Sequence, residues 1–216
     1  MRYLQRLPKP DVLIKKGDQW TKSFIASGKD RPDNPKYGHI EIRTQLHNIS
    51  FKKCFYSEVK FAVETEGQVD HYIEVSEDKN LSFDWENLFL SHKDSNQGKP
   101  NNLTIAVTNT LNPFIHSDDE IEEHLTFEDE CITARNNSSK GLQTIQKYKL
   151  DKDVYNALRS KQLIQFYKVL TVINQNQIIE NRKILNDEEL EVLKRFAQPD
   201  HSFSLMFRIL LKKLNL

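Results

Sequence analysis

The sequence predicts an α+β protein in which a strand hairpin and a following helix are embedded in a mainly α-helical chain. Three observations predict this class. Residues 51–75 are rich in strand formers and are divided by a turn. Apolar residues recur at helical spacing from Leu150 onward. A chain of 216 residues, 38% hydrophobic and 29% charged, is long enough for its own core and is not of disordered composition.

The N-terminal part of the chain is predicted to be helical. Residues 11–28 form a helix that begins at Asp11 and ends at Gly28. The next ten residues contain two prolines, two aspartates and an asparagine, which predict a loop. Residues 37–50 fit neither the helical nor the strand period, so both structures remain open there.

The middle of the chain contains the strand candidates. Residues 51–63 and 68–75 are the best of them, and residues 64–67 supply the turn of a hairpin. Residues 85–96 are predicted to be a loop that enters a helix. Residues 119–134 are ambiguous.

The C-terminal part is predicted to be helical throughout. A long helix follows Leu150, Asp187 caps a further helix that ends before Pro199, and the last helix spans 203–214. The last helix has an apolar face made of Met206, Phe207, Leu210, Leu211 and Leu214. Two interpretations remain open: this face packs into the protein's own core, or it docks in the groove of a partner.

Charge is unevenly distributed along the chain. The 31 basic and 31 acidic side chains cancel, which is unusual for a protein that binds nucleic acid alone. Residues 1–60 nevertheless carry thirteen Lys and Arg against six Asp and Glu. Such an excess, including Lys52 and Lys53, could bind a phosphate backbone. An ordinary solvated surface explains it equally well.

The composition also bears on the compartment. Cys54 and Cys131 do not make a disulfide framework. Apolar runs are too short to span a bilayer, and the N-terminus has no apolar segment of signal-peptide length. These features predict a cytoplasmic protein.

One group of polar residues has the chemistry of phosphodiester cleavage. Asp70 and His71 lie on the second predicted strand, and Asn96 follows 25 residues after the histidine. Asp70 and Asn96 offer oxygen ligands for Mg²⁺ or Mn²⁺, while His71 offers a general base for a water. A single histidine at a strand end is more often structural, so the prediction depends on the combination.

Two more residues belong to this candidate site. Asn87 is a catalytic candidate, and its alternative role is to brace the turn. Lys99, three positions after Asn96, would share the metal-side face of the helix and contact a phosphate or leaving group. Its alternative is an ordinary surface lysine.

The order Asp-His, then Trp85-Glu86-Asn87-Leu88, then Ser95-Asn96-Gln97-Gly98-Lys99 resembles an HNH (ββα-metal) endonuclease. Further similarity to one HNH branch, the nuclease subunit of Septu and retron-associated anti-phage systems, is carried by several segments, among them Met1-Arg2-Tyr3-Leu4, Cys54-Phe55-Tyr56-Ser57-Glu58, Leu111-Asn112-Pro113-Phe114 and Thr144-Ile145-Gln146-Lys147-Tyr148-Lys149-Leu150. The resemblance implies a ββα-metal core, a nucleic-acid target (DNA, or tRNA) and an ABC-type ATPase partner. It divides the chain into a basic helical segment (1–50), a nuclease core (51–105) and a helical region (106–216).

The resemblance also bears on zinc. Many HNH proteins carry a zinc knuckle whose ligand positions would fall at Cys54, Ser57, His92 and Ser95. Because two serines are poor zinc ligands, no structural zinc is expected. Packing should hold the site instead, through the aromatic residues Phe55, Tyr56, Trp85 and Phe89.

Three functions remain open from the sequence. The first is an active metal-dependent nuclease within a defence complex. The second is a catalytically silent HNH scaffold that binds a partner or nucleic acid. The third is a stand-alone restriction or homing-type nuclease, against which the neutral charge argues mildly.

Overall fold

The computed structural model describes all 216 residues and combines helices with two small antiparallel hairpins, which confirms the α+β class. The helices are α1 (Asp11–Ala26), α2 (Asn34–Tyr37), α3 (Ile40–Ile49), α4 (Lys93–Asn96), α5 (Asp118–His124), α6 (Ser139–Tyr148), α7 (Asp153–Ile179), α8 (Asp187–Arg195) and α9 (Ser204–Lys213). The strands are β1 (Gln68–His71), β2 (Leu88–Ser91), β3 (Leu125–Glu128) and β4 (Cys131–Ala134).

The predicted N-terminal helix is confirmed as α1, and the ambiguous segment 37–50 is largely helical. Ile42, Leu46 and Ile49 are the buried apolar residues of α3, spaced four and three residues apart. This spacing places all three on one face of the helix, which packs into the core. Polar residues between them obscure the period in the sequence.

One of the two predicted strands is not a strand. Residues 51–63 do not form a strand; they form a compact loop with a single bridge between Lys53 and Lys60. Phe51, Lys52 and Glu58 have φ values of 55°, 60° and 60°, and left-handed residues interrupt an extended chain. The aromatic residues of this loop are buried because the rest of the protein surrounds it.

The partner of β1 is β2, which lies in a segment predicted to be a loop. Val69 pairs with Leu90, Asp70 with Phe89 and His71 with Leu88. All four residues of β2 are buried, so the strand lacks the alternation that would mark it in the sequence. A second ambiguous segment, 119–134, contains most of α5 and the β3–β4 hairpin.

The C-terminal helices are confirmed, with one shift. The cap of α8 is Asn186, not Asp187: its side chain accepts from the Glu189 amide, while the Glu189 carboxylate accepts from the Asn186 amide. In α7, Leu163, Phe166 and Ile173 face the core.

Most of the apolar face of helix α9 packs within the protein itself, as in the first of the two interpretations, while Leu214 is 41% exposed. Leu205, Met206 and Phe207 are at most 1% exposed. On its polar side, Arg208 and Lys212 pair with acidic residues of α5. This helix belongs to one hydrophobic cluster that includes residues from all three sequence segments, from Met1 to Leu211. None of the helices has the length and apolar character needed to cross a membrane.

Candidate active site

The polar residues singled out in the sequence converge on one cleft. Asp70 and His71 are the last two residues of β1, Asn96 is the last residue of α4, and β2 connects these elements through the strand pairing. Asp70, His71, Asn96 and Lys99 all line a cleft of about 440 Å³. Strand, strand and short helix therefore position the site.

His71 is oriented by a backbone carbonyl. Its Nε2 lies 2.9 Å from the Ser82 carbonyl oxygen, and its ring meets the edge of Tyr37 at 5.2 Å between centroids. A carbonyl only accepts, so the proton resides on Nε2 and the lone pair on Nδ1, which has no protein partner. Burial lowers the pKa of His71, and Lys99 adds to this, against the opposing effects of Ser82 and Asp70. The neutral ring can therefore accept a proton.

Asn87 braces the loop, which is the alternative role that the sequence left open for it. Its Oδ1 accepts from the Ile73 amide at 2.7 Å, and its Nδ2 donates to the carbonyls of Ile73 and Leu81 at 3.0 and 3.1 Å. The residue is 4% exposed, and all three of these bonds go to the backbone of its own loop. It holds both ends of the loop that carries Ser82, and so positions His71 indirectly.

Asp70 is held by two donors. The Lys99 ammonium donates to Oδ1 at 2.7 Å, to Oδ2 at 2.8 Å and to the His71 carbonyl at 3.0 Å. Tyr56 donates its hydroxyl to Oδ2 at 3.1 Å. Burial, and then the charge of Asp70, raise the pKa of Tyr56 well above its usual range, so the phenol stays protonated.

Lys99 reaches the site from a different position than predicted. Helix α4 ends at Asn96, so Lys99 lies beyond the helix and not on its face. Gly98 before it has a φ of +62°, a left-handed conformation that glycine adopts without strain. This turn directs the lysine to Asp70.

Asn96 retains a free oxygen ligand. Its Nδ2 donates to the Gln68 side chain at 3.2 Å, while its Oδ1 has no protein partner. Together with the Asp70 carboxylate it supplies hard oxygen donors at one cleft, which suit Mg²⁺ or Mn²⁺ with several waters completing the shell. The donor set therefore fits such a cation, provided that the carboxylate is released from Lys99.

Aromatic side chains form the layer beneath the site, as expected. Phe55, Tyr56, Trp85 and Phe89 are all at most 2% exposed. Tyr56 stacks on Tyr148 of α6 at 3.8 Å between ring centroids. This packing fixes the phenol that donates to Asp70.

A tyrosine hydroxyl lies against His92 and Ser95, the second pair of zinc-knuckle positions. Tyr155 of α7 places its Oη 2.7 Å from Ser95 Oγ and 3.3 Å from His92 Nδ1. Burial and the neighbouring Cys54 raise its pKa, and side-chain hydrogen bonds with Ser95 and Ser57 oppose the rise. One hydroxyl from a distant helix thus contacts both residues of the second pair of knuckle positions.

The two other predicted nucleic-acid contacts differ in their exposure. Lys53 is 3% exposed and its Nζ donates to Glu58, the His201 carbonyl and Ser204, so the prediction for it was wrong. Its charge serves a buried ion pair that ties the loop to the α8–α9 region. Lys52 is exposed and free of hydrogen bonds from its ammonium group.

Arg31 is a basic residue of the cleft that the sequence analysis missed. It lies on the loop before α2, is exposed, and makes no hydrogen bond or ion pair. The only sequence signal was its place in a loop rich in Pro and Asp. Three carboxylates (Asp30, Asp70 and Glu74) and two cations (Arg31 and Lys99) line the cleft, which therefore has one net negative charge.

Comparison with known proteins adds no further information about this site. The chain matched no model of a known protein family, and a search of curated proteins also found no match.

Proposed function

We propose that the protein is a metal-dependent endonuclease of the HNH type that hydrolyses phosphodiester bonds. The observation that carries the proposal is the convergence of Asp70, His71 and Asn96 on one cleft, with the histidine held by Nε2 and its Nδ1 unpartnered. Two elements that are separated in the chain, β1 and α4, supply these groups, and packing alone gives no reason to bring them together.

Each residue of the site has a separate role in the proposed reaction. His71 accepts a proton from an attacking water through Nδ1, while the Ser82 carbonyl keeps the ring in place. Asn87 maintains that loop, and Tyr56 orients the Asp70 carboxylate. Asp70 and Asn96 would hold the Mg²⁺ or Mn²⁺ ion, which would stabilise negative charge on the phosphate and the leaving oxygen.

The charge of the cleft supports a requirement for a divalent cation. With one net negative charge on its walls, the cleft repels a phosphodiester. A divalent cation reverses the sign of this charge. Arg31 is the cation free to contact the phosphate backbone from the start.

The biological setting is proposed from the sequence resemblance. The protein would act in the cytoplasm as the nuclease subunit of an anti-phage complex with an ABC-type ATPase. Co-expression and co-purification with an ABC-type ATPase of such a system test this, independently of the chemistry.

Cleavage assays test the nuclease itself. Purified protein is incubated with plasmid DNA and with tRNA in Mg²⁺, Mn²⁺ or EDTA, alone and with the ATPase. Cleavage is expected with metal, and His71→Ala should lower the rate by about 100- to 10,000-fold. His39→Ala is the matched control, because this histidine lies outside the cleft. Undiminished cleavage by folded His71→Ala would refute the assignment.

The same assay distinguishes the active nuclease from the second candidate function. A silent HNH scaffold predicts binding of nucleic acid or partner with no metal-dependent cleavage under any of these conditions. The hydrogen-bonded orientation of His71 favours the active enzyme, since a scaffold has no use for an oriented base.

A further inference from the structure

The contact between Lys99 and Asp70 has a consequence for cation binding. The ammonium group lies 2.7 and 2.8 Å from the two carboxylate oxygens, and it also donates to the His71 carbonyl at 3.0 Å. The two side chains are only 8% and 5% exposed. The lysine therefore occupies the position of a cation on the carboxylate.

A divalent cation and this ammonium cannot both bind Asp70 in the same way. Mg²⁺ binds oxygen ligands at about 2.0–2.1 Å, close to where the ammonium lies. Like charges at such separations repel strongly in a partly buried site. Lys99 must leave Asp70 before the cation binds.

Lys99 lines the cleft, so its ammonium group can reach an anion that binds there. It lies beyond the end of α4, after the left-handed Gly98, and lines the same cleft as Arg31. Its flexible four-carbon stem allows the ammonium to move, but it needs another anion to pair with. A phosphodiester in the cleft is such an anion.

We propose that Lys99 couples cation binding to nucleic-acid binding: it competes with the divalent cation for Asp70, and the phosphate backbone relieves this competition by accepting Lys99. The inference rests on the proposed function and adds a rule for the order of assembly. Cation affinity is low in the free protein and rises when nucleic acid binds. By linkage, the cation raises nucleic-acid affinity by the same factor.

The test measures cation binding and needs no cleavage. Mn²⁺ affinity is determined by electron paramagnetic resonance for wild type, Lys99→Met, Lys99→Arg and Lys149→Met, without nucleic acid. Lys99→Met should bind Mn²⁺ about tenfold tighter or more, because the competitor is gone. Lys99→Arg should stay within about threefold of wild type, since an arginine still pairs with the carboxylate.

Lys149→Met is the matched control, because it removes the same charge from a neighbouring lysine that contacts Gln97 and not Asp70. It should shift affinity less than about threefold. Lys99→Gln, with folding checked by circular dichroism, is the second variant should the methionine variant misfold.

Asp70→Asn, alone and with Lys99→Met, separates the two proposals. Equal affinities of wild type and Lys99→Met, both abolished by Asp70→Asn, would overturn the coupling and leave the metal site standing. Absence of Asp70-dependent Mn²⁺ binding in every variant would overturn both. In the His71→Ala background, a DNA oligonucleotide should raise Mn²⁺ affinity when Lys99 is present and much less in Lys99→Met. An equal rise in both would also refute the coupling.

Discussion

The hydroxyl of Tyr155 offers the sharpest test of how the site is held. Tyr155→Phe removes one oxygen atom and keeps the ring, which is fully buried. The lost hydroxyl is 2.7 Å from Ser95 Oγ and 3.3 Å from His92 Nδ1. Ser95 is 0% exposed and its Oγ has no other partner, so the substitution leaves it unsatisfied. A buried polar group without a hydrogen-bond partner costs about 1–3 kcal/mol. We therefore expect a loss of about 2 kcal/mol in the free energy of unfolding.

Urea unfolding, followed by circular dichroism, measures this loss. With a slope of about 2 kcal/mol/M, the midpoint should fall by about 1 M. Tyr167→Phe is the matched control, because Tyr167 lies on the same helix, is 45% exposed and makes no hydroxyl contact. It should change the free energy of unfolding by less than about 0.5 kcal/mol.

A double-mutant cycle assigns the loss to the contact. If the hydroxyls of Tyr155 and Ser95 stabilise each other, Ser95→Ala costs less in the Tyr155→Phe background than in wild type, with a coupling of about 1 kcal/mol. The idea is refuted if Tyr155→Phe is as stable as wild type, or if the stability losses of the two single variants simply add up in the double variant. Either result would show that the Tyr155 hydroxyl does not stabilise its contact with Ser95 and His92.

Three further predictions test other parts of the chain. Asn87→Ala should destabilise the fold by about 2–4 kcal/mol and lower cleavage, because the loop that orients the base loses three hydrogen bonds; a rate change without a stability change would instead favour a catalytic role. Glu58→Gln should cost about 3–5 kcal/mol at neutral pH by leaving the buried Lys53 unpaired. Burial raises the pKa of Glu58, but the N-terminal amine, Lys53 and a hydroxyl outweigh it and hold it well below its usual value. The wild type therefore loses this stability as the pH falls below about 4.3, the pKa of an unperturbed glutamate. The difference in the free energy of unfolding between wild type and Glu58→Gln should become smaller in acid. A difference that does not change with pH would contradict the ion pair. Arg31→Ala should weaken nucleic-acid binding and reduce the slope of log affinity against log salt concentration by about 1. Lys22→Ala on α1 should leave the affinity and the slope unchanged. Equal effects of the two substitutions would mean that only the net charge of the protein matters.

Local patterns were sufficient for most helices and for the chemistry of the site. The apolar residues of α1, α7 and α8 recur within one or two turns of each other, so these helices can be found without the rest of the chain. Asp70, His71 and Asn96 were singled out by their types and order, and the structure brings them to one cleft.

The strand pairing was not predictable from such patterns. Residues 51–63 have the composition of a strand, but this composition reflects burial on all sides of a loop and not an extended backbone. The true partner, β2, is buried along its whole length and has no alternation for a sequence pattern to detect. Which segment pairs with β1 depends on what covers each of them, and distant residues decide that.

The sequence by itself determined the local structure of most helices and the set of groups available for phosphodiester chemistry, because both depend on residue types at short spacing. Only the tertiary structure decided which of these groups are free to act. It placed Lys53 in a buried ion pair, made Asn87 a brace, set the Tyr155 hydroxyl against Ser95 and His92, and set Lys99 on Asp70. These outcomes depend on contacts between residues far apart in the chain, and no local pattern encodes the burial and charge that such contacts create.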